Sequence, residues 1–90
     1  MKIIMTNAFK KSAKKLIRSQ IKIVEDAIDE IAKDPEMGEL KKGDLAGIRI
    51  YKFHILKQLM LLAYQYSKKE LVLLSLNTHE NFYRDLKKRL

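Results

Sequence analysis

The chain has 90 residues, no cysteine and a hydrophobic share of 47%, so we expect one domain over residues 1–90, without disulfides or thiolate metal sites. Its formal net charge of +8 and pI near 9.8 predict a polyanionic partner, either nucleic acid or an acidic protein. No apolar run approaches the roughly 20 residues that cross a bilayer, and no export signal is visible, so we expect a cytoplasmic protein.

The first part of the chain predicts a short strand and two helices. Residues 3–5 are apolar and form the strand, and Thr6 or Asn7 can cap the helix that follows. Apolar residues then recur at helical spacing, first at Phe9, Ala13, Leu16 and Ile17 and then at Ile21, Val24, Ile28 and Ile31. We expect a break near residues 18–20, because a single helix of this length is unusual in so small a domain. Pro35 ends the second helix, since proline disfavours the α conformation in the residue before it.

The middle of the chain changes from helical to strand periodicity. A loop with three glycines at residues 35–47 leads into segment 48–53, whose side chains alternate between two faces. Arg49, Tyr51 and Phe53 share one of these faces. Such a face can be exposed, where it would bind phosphate and stack bases, or it can be core, with the arginine reaching out at its edge.

Two further strands and a last helix follow. Segments 58–66 and 71–76 are apolar on both faces, which predicts strands that are covered on two sides and lie centrally in the sheet. Residues 54–57 and 67–69 form the turns, and Thr78 can cap a helix from residue 79 to about residue 89. The inward stripe of this helix is Phe82, Leu86 and Leu90. The resulting order of strand, two helices, three strands and helix is an α+β fold.

Two segments are the most distinctive in the chain, DLAGIRIY at residues 44–51 and HENFYRDL at residues 79–86. With the order of elements around them, they resemble toxins of the RelE/ParE superfamily from type II toxin-antitoxin systems, over nearly the whole chain. The resemblance implies a RelE-like fold, in which an N-terminal strand and a helical hairpin pack on a twisted, mainly antiparallel sheet. It also implies a cognate antitoxin, which we expect to be acidic.

The resemblance leaves the activity open. RelE-like members cleave mRNA in the decoding site of the ribosome and so halt translation, whereas ParE-like members inhibit DNA gyrase without being nucleases. Our leading hypothesis is a metal-independent, ribosome-dependent endoribonuclease, an mRNA interferase. Nuclease members commonly carry an arginine at the start of the long central strand, where this chain has Lys57 and Gln58, and this departure favours the gyrase alternative. An inactive relative that still binds its antitoxin is a third possibility.

RNA cleavage without a metal needs a base for the 2′-hydroxyl group, cations around the phosphate and an acid for the leaving 5′-oxygen. We expect no metal or other cofactor, because neither histidine has acidic neighbours at ligand spacing. His79, Tyr83 and Lys87 are four residues apart and would share a helix face. We predict His79, Tyr83 and Arg49 as the catalytic set, although His79 and Tyr83 can equally be ordinary helix residues. His54 is expected in a turn, exposed and without a role.

The remaining cations predict an RNA-binding surface. The first helix contributes Lys10, Lys11, Lys14, Lys15 and Arg18, with no acid among them. These side chains can bind ribosomal RNA phosphates or meet an acidic antitoxin. The other predicted RNA-binding residues are Tyr51, Lys57, Arg84 and Lys87. Glu80 and Arg84 are four residues apart and predict a surface ion pair.

Overall fold

The computed structural model describes residues 2–41, 47–82 and 84. The elements in chain order are β1 (Lys2–Met5), α1 (Asn7–Lys14), α2 (Arg18–Lys33), β2 (Glu39–Leu40), β3 (Arg49–Ile55), β4 (Gln58–Tyr66) and β5 (Glu70–Thr78). Residues 79–82 and 84 are also helical, and they are called the C-terminal helix below. In the described part of the chain the strands form one sheet in the order β1-β5-β4-β3-β2. The predicted α+β class is confirmed.

The sheet is mainly antiparallel, as the resemblance implied. β4 pairs antiparallel with β3 and with β5, β2 pairs antiparallel with β3, and β1 adds parallel to β5. β4 and β5 both lie in the interior of the sheet, as their two apolar faces predicted. The α1–α2 pair packs on one face of the sheet, called the hairpin face, and the C-terminal helix packs on the other, called the back face.

The main core lies between the two helices and the hairpin face. Phe9 of α1 and Val24 and Ile31 of α2 meet apolar side chains of β3, β4 and β5. The fully buried members from the sheet include Leu62, Tyr64, Leu71, Leu73 and Leu76. Tyr51 and Phe53 pack against this core with their rings stacked 5.9 Å apart. Of the two interpretations of their strand face, the core interpretation is therefore confirmed.

A smaller core lies on the back face. Phe82 of the C-terminal helix is 8% exposed and packs with Ile50, Leu61 and Ala63. This contact confirms Phe82 as an inward residue of the helix. Leu86 and Leu90, the other two residues of the predicted inward stripe, lie outside the described residues.

The helical hairpin bends earlier than predicted. α1 ends at Lys14 and α2 begins at Arg18, so the break falls at residues 15–17 and not at residues 18–20. The reason is a capping contact, because the backbone N–H of Ile17 donates to Oε1 of Gln20 at 3.1 Å. A glutamine at the third position of a helix binds the free N–H before it in this way.

Two other helix boundaries are as predicted. The Oγ1 atom of Thr6 accepts from the backbone N–H of Phe9 at 3.3 Å and so caps α1. The same Oγ1 atom is 2.9 Å from the carbonyl oxygens of both Leu73 and Leu74, which ties the start of α1 to β5. α2 ends at Lys33, before the predicted stop at Pro35.

Several strand assignments differ from the predictions. β3 continues through His54 to Ile55, so its connection to β4 is a two-residue turn at residues 56–57 and not a turn at residues 54–57. The sequence gives no signal there, because Leu56 holds the left-handed position, at φ 55°, where glycine or asparagine is usual. β2 lies inside the segment predicted as a loop, and β5 extends beyond residues 71–76 at both ends.

A hydrogen-bond network fastens the segment after α2 to the sheet. The Tyr64 hydroxyl group donates to the carbonyl oxygen of Pro35 at 2.6 Å and accepts from the N–H of Gly38 at 3.0 Å. The guanidinium group of Arg49 donates to the carbonyl oxygens of Glu36 and Gly38, both at 2.9 Å. Arg49 and Tyr64 are direct partners across β3 and β4. We call these contacts the Arg49–Tyr64 network.

The network depends on a close approach of backbone to ring. A Cβ atom at Gly38 would lie 2.5 Å from the Tyr64 hydroxyl oxygen, so no larger residue fits without a shift. Burial raises the pKa of Tyr64, although the Gly38 N–H and the charge of Arg49 oppose that change. The hydroxyl group therefore stays protonated at neutral pH and keeps its bond to Pro35.

We expect Tyr64→Phe to lower the free energy of unfolding by about 1–3 kcal/mol, because it removes the partner of the buried Gly38 N–H and of the partly buried Pro35 carbonyl group. Urea unfolding followed by circular dichroism measures this change. Tyr66→Phe is the matched control, since the Tyr66 hydroxyl group takes part in none of the side-chain hydrogen bonds of the described residues. Equal losses of stability in the two variants would show that the network contributes nothing.

Candidate functional site

The back face carries polar side chains at the end where β3 turns into β4. Lys52 and His54 share the face of the buried Ile50 along β3, and both are exposed. Lys52 pairs with Leu61, which in turn pairs with Asn77 of β5. Lys52 and Asn77 therefore lie in one row across three strands, with an apolar side chain between them.

The next row brings the two histidines towards each other. His54 pairs with Leu59, and Thr78 pairs with the following residue of β4, Met60. His79 comes next after Thr78 and is exposed at the corner where β5 passes into the C-terminal helix. His54 of β3 and Thr78 of β5 lie on either side of β4, so two strand spacings, roughly 10 Å, separate their backbones, and His79 follows Thr78 directly.

Glu39 of β2 lies between two lysines near this face. Its Oε1 atom is 3.4 Å from Nζ of Lys41, and its Oε2 atom is 3.8 Å from Nζ of Lys52. The Lys41 side chain is only 21% exposed, which is low for a lysine. A phosphate group bound by both ammonium groups would take the place of the Glu39 carboxylate. Glu39 therefore competes with any anion that binds here.

Arg49 lies on the other face and at the other end of the sheet. Its row contains Tyr64 and Leu73, far along the strands from Thr78, and its guanidinium group lies 5.7 Å from the ring centroid of Tyr66. Its hydrogen bonds go to the carbonyl oxygens of the 35–38 segment. The structure thus does not bring Arg49 together with His79. Arg49 instead fastens the 35–38 segment to the sheet.

The C-terminal helix begins as predicted. Oγ1 of Thr78 accepts from the backbone N–H of Asn81 at 3.1 Å, which caps the helix. Arg84 forms the predicted ion pair with Glu80, with Nη2 and Oε1 3.4 Å apart. Tyr83 and Lys87, predicted to share a helix face with His79, lie outside the described residues.

The predicted RNA-binding cations of the first helical segment form an exposed surface. Lys10, Lys11, Lys14, Lys15 and Arg18 are all exposed. In the described part of the chain none of them has an ion-pair partner. Lys57 is exposed as well, in the turn between β3 and β4, whereas Tyr51 is half-buried beside Phe53.

His54 and Lys52 are candidate site residues that the sequence-based prediction did not include. Ending the strand at Phe53 placed His54 in a turn and removed it from the alternation. If the predicted strand had been continued to His54, the alternation of side chains would have placed His54 on the same face as Lys52. Within residues 2–41, 47–82 and 84, no group of histidine and acidic side chains is arranged to hold a metal ion. In the same residues no helix is long and apolar enough to cross a membrane.

Comparison with known proteins identifies relatives of this fold. A family model described as "ParE-like toxin of type II bacterial toxin-antitoxin system" matches residues 3–87. The "YoeB/ParE toxin from Agrobacterium tumefaciens" is similar with a TM-score of 0.70 and 20% identity, covering 88% of this chain and 99% of that one. No curated protein matches the chain.

Two Escherichia coli structures share the fold as well. A chain of the intact RelBE toxin-antitoxin complex is similar with a TM-score of 0.66 and 15% identity, over 84% of this chain and 93% of that one. The isolated RelE toxin is similar with a TM-score of 0.65 and 16% identity, over 99% and 98%. At these identities the solved structures support the fold alone.

We expect Glu39→Gln to tighten the binding of a short single-stranded RNA about threefold, because exposed ion pairs contribute up to about 1 kcal/mol and two lysines lose their competitor. Fluorescence anisotropy of a labelled 12-nucleotide RNA, at several KCl concentrations, measures the affinity. Glu36→Gln makes the same change of charge three residues away, where no described ion pair is lost. The account of Glu39 fails if both variants change the affinity equally.

Proposed function

The chain belongs to the ParE-like toxins of type II bacterial toxin-antitoxin systems, within the RelE/ParE superfamily, and from this premise we propose that it cleaves mRNA on the ribosome without a metal ion. A cognate antitoxin is its partner, as in the similar RelBE complex. The proposal concerns the chemistry of the toxin and locates it on the back face, at the corner formed by His54, His79, Lys52 and Asn77.

The placement of two exposed histidines at one end of the sheet carries the proposal, since His54 pairs with Leu59 and His79 follows Thr78, the partner of Met60. One imidazole takes the proton of the 2′-hydroxyl group, and the 2′-oxygen forms a bond to phosphorus. The bond from phosphorus to the 5′-oxygen breaks, and the second imidazole gives that oxygen its proton. The products are a 2′,3′-cyclic phosphate and a 5′-hydroxyl end. Two groups about 10 Å apart at the backbone can approach a phosphodiester from both sides with their side chains.

The neighbouring polar residues are proposed to stabilise the negative charge that develops on the reacting phosphate. Lys52 supplies a cation and Asn77 a hydrogen-bond donor in the adjacent row of the same face. Tyr83 and Lys87 stay in the proposal as predicted members, together with Arg84. Arg49 leaves the catalytic set, because its guanidinium group holds the 35–38 segment.

The exposed cations of the α1 segment are proposed to bind ribosomal RNA. Five positive charges without ion-pair partners give affinity for phosphates that is independent of sequence and sensitive to salt. Such a surface would hold the toxin on the ribosome while the back face meets the mRNA. A cytoplasmic location follows from this proposal, since its target is there.

One observation favours gyrase inhibition as the second candidate function. Across the described parts of β3, β4 and β5, Lys52 is the single lysine or arginine on the back face, and β4 begins with Gln58 where nuclease members commonly carry an arginine. A site with so little positive charge stabilises a phosphorane weakly. A ParE-like toxin that acts by binding alone has no need of it.

The test is primer extension on a reporter mRNA after a short pulse of toxin expression. We expect cuts within translated codons for the wild type, and a loss of about 100-fold or more in cleavage for His54→Ala and for His79→Ala, since each removes an acid or a base. Gln65→Ala is the matched control, because Gln65 is an exposed polar residue of β4 at the other end of the sheet.

The outcomes separate the candidates. Cleavage that survives both histidine changes contradicts the proposed site. Growth arrest with intact mRNA, together with loss of supercoiling by gyrase in the presence of purified toxin, supports the second candidate. Expression without any growth arrest indicates an inactive toxin.

A further inference from the structure

β1 forms one edge of the sheet, and no strand of the described residues pairs with its outer side. The backbone N–H groups of Lys2 and Thr6 donate to carbonyl oxygens on the inner side, next to β5, at 2.8 and 3.1 Å. Because backbone groups alternate in direction along a strand, those of Ile3 and Met5 point away from β5. The outer side of β1 therefore presents N–H and C=O groups that are ready to pair with another strand.

The side chains of the same two residues are apolar and exposed. Ile3 is 43% exposed and Met5 is 46% exposed. Both lie on the hairpin face, since their β5 partners Leu71 and Leu73 belong to the main core. Soluble proteins usually protect an edge strand with a charge, a proline or a bulge, and residues 3–5 contain none of these. The β1 edge thus combines unpaired backbone groups with an uncovered apolar surface.

The strand at the opposite edge is different. β2 has only two residues, and its Glu39 forms ion pairs with Lys41 and Lys52. Shortness and charge both disfavour the addition of another strand. Leu40 of β2 is 49% exposed, as apolar and as accessible as the two residues of β1. It therefore serves below as the matched control for the β1 edge.

A second copy of β1 is complementary to this edge. In an antiparallel pair centred on Ile4, Ile3 lies opposite the partner's Met5, and the outward backbone groups of both residues form hydrogen-bonded pairs across a two-fold axis. The exposed apolar side chains then cover one another on the hairpin face. On the back face the half-buried Ile4 lies opposite the partner's Ile4. The strand is thus complementary to itself in its backbone groups and on both faces.

The charges near the edge permit this pairing. Lys2 lies opposite the partner's Thr6, so the two Lys2 positions are four residues apart along the strand, or roughly 14 Å. Screening at physiological salt acts over about 8 Å, so their repulsion is weak. The net charge of +8 on each copy still opposes association at low salt. Pairing should therefore tighten as salt rises, whereas binding of a polyanion weakens.

We propose that two copies of this chain pair through antiparallel β1 strands and join their two five-stranded sheets into one. The two-fold axis closes the assembly at a dimer. Strands of four residues bury less surface than stable interfaces do, so the dissociation constant is expected on the order of 10–100 μM. β3, with Lys52 and His54, is separated from the seam by β5 and β4, so the corner proposed for catalysis stays open in each copy. The proposal rests on neither the cleavage chemistry nor the antitoxin.

A single cysteine tests the register, because the chain has no cysteine of its own. In the proposed dimer Ile4→Cys places the two thiols opposite each other, with Cα atoms about 4.5 Å apart. This separation is within the range of a disulfide. Mild oxidation of the purified toxin should give a covalent dimer on a non-reducing gel. Leu40→Cys, at the other edge, should give far less, and equal amounts from the two variants would overturn the proposal.

Charged variants test the edge by sedimentation equilibrium, with melting followed by circular dichroism to confirm that each variant is folded. Ile3→Lys should raise the dissociation constant of the dimer about tenfold or more, since an apolar contact is lost twice across the axis. Leu40→Lys adds the same charge at β2 and should leave the dimer unchanged. Combining Ile3→Lys with Met5→Glu should restore association, because the two introduced charges have opposite signs and face each other across the axis.

Three results would overturn the proposal. The first is a wild type that stays monomeric up to roughly 1 mM, well above the expected dissociation constant. The second is a dimer that persists unchanged in Ile3→Lys or that weakens as the KCl concentration rises. The third is a monomeric wild type whose affinity for the antitoxin falls in Ile3→Lys, because the edge would then receive a strand of the antitoxin.

Discussion

The Arg49–Tyr64 network is the constraint on which the rest of the structure depends. The Tyr64 side chain is completely buried and binds the backbone on both sides of the turn after α2. Arg49 holds the same segment from β3 through two further carbonyl groups. The end of the helical hairpin is thereby fixed to the central strand, and the chain leaves Gly38 in the direction that lets β2 pair with β3. This pairing sets Glu39 against Lys52.

The α1–α2 hairpin and the C-terminal helix pack on opposite faces of the sheet. The hairpin covers the apolar face, including Tyr51 and Phe53. On the back face the described contacts of the C-terminal helix centre on Phe82 and a small apolar cluster. The polar residues of β3 and β5 lie beyond that cluster, at the end of the sheet near the β3–β4 turn.

Much of the fold could be predicted because burial leaves a period in the sequence. The central strands, the caps at Thr6 and Thr78 and the end of α2 at Pro35 all follow from local patterns. The β3–β4 turn was misplaced because a leucine holds a position that glycine usually takes. The role of Arg49 was not predictable, because its partners are backbone carbonyl groups 11 and 13 residues away. Every residue has such a carbonyl group, so the sequence gives no sign of this contact. His79 was predicted as a site residue from its spacing to Tyr83 and Lys87, whereas His54 was assigned to a turn because the end of β3 was misplaced.

The chemical nature of the new RNA ends tests the central claim most directly. Transfer of the phosphate to the 2′-oxygen leaves a 5′-hydroxyl end and a 2′,3′-cyclic phosphate, because no water or metal-bound hydroxide attacks the phosphorus. Fragments of mRNA cut during toxin expression should therefore accept a labelled phosphate from polynucleotide kinase without prior phosphatase treatment. Fragments that carry a 5′-phosphate and a 3′-hydroxyl end would contradict the two-histidine mechanism.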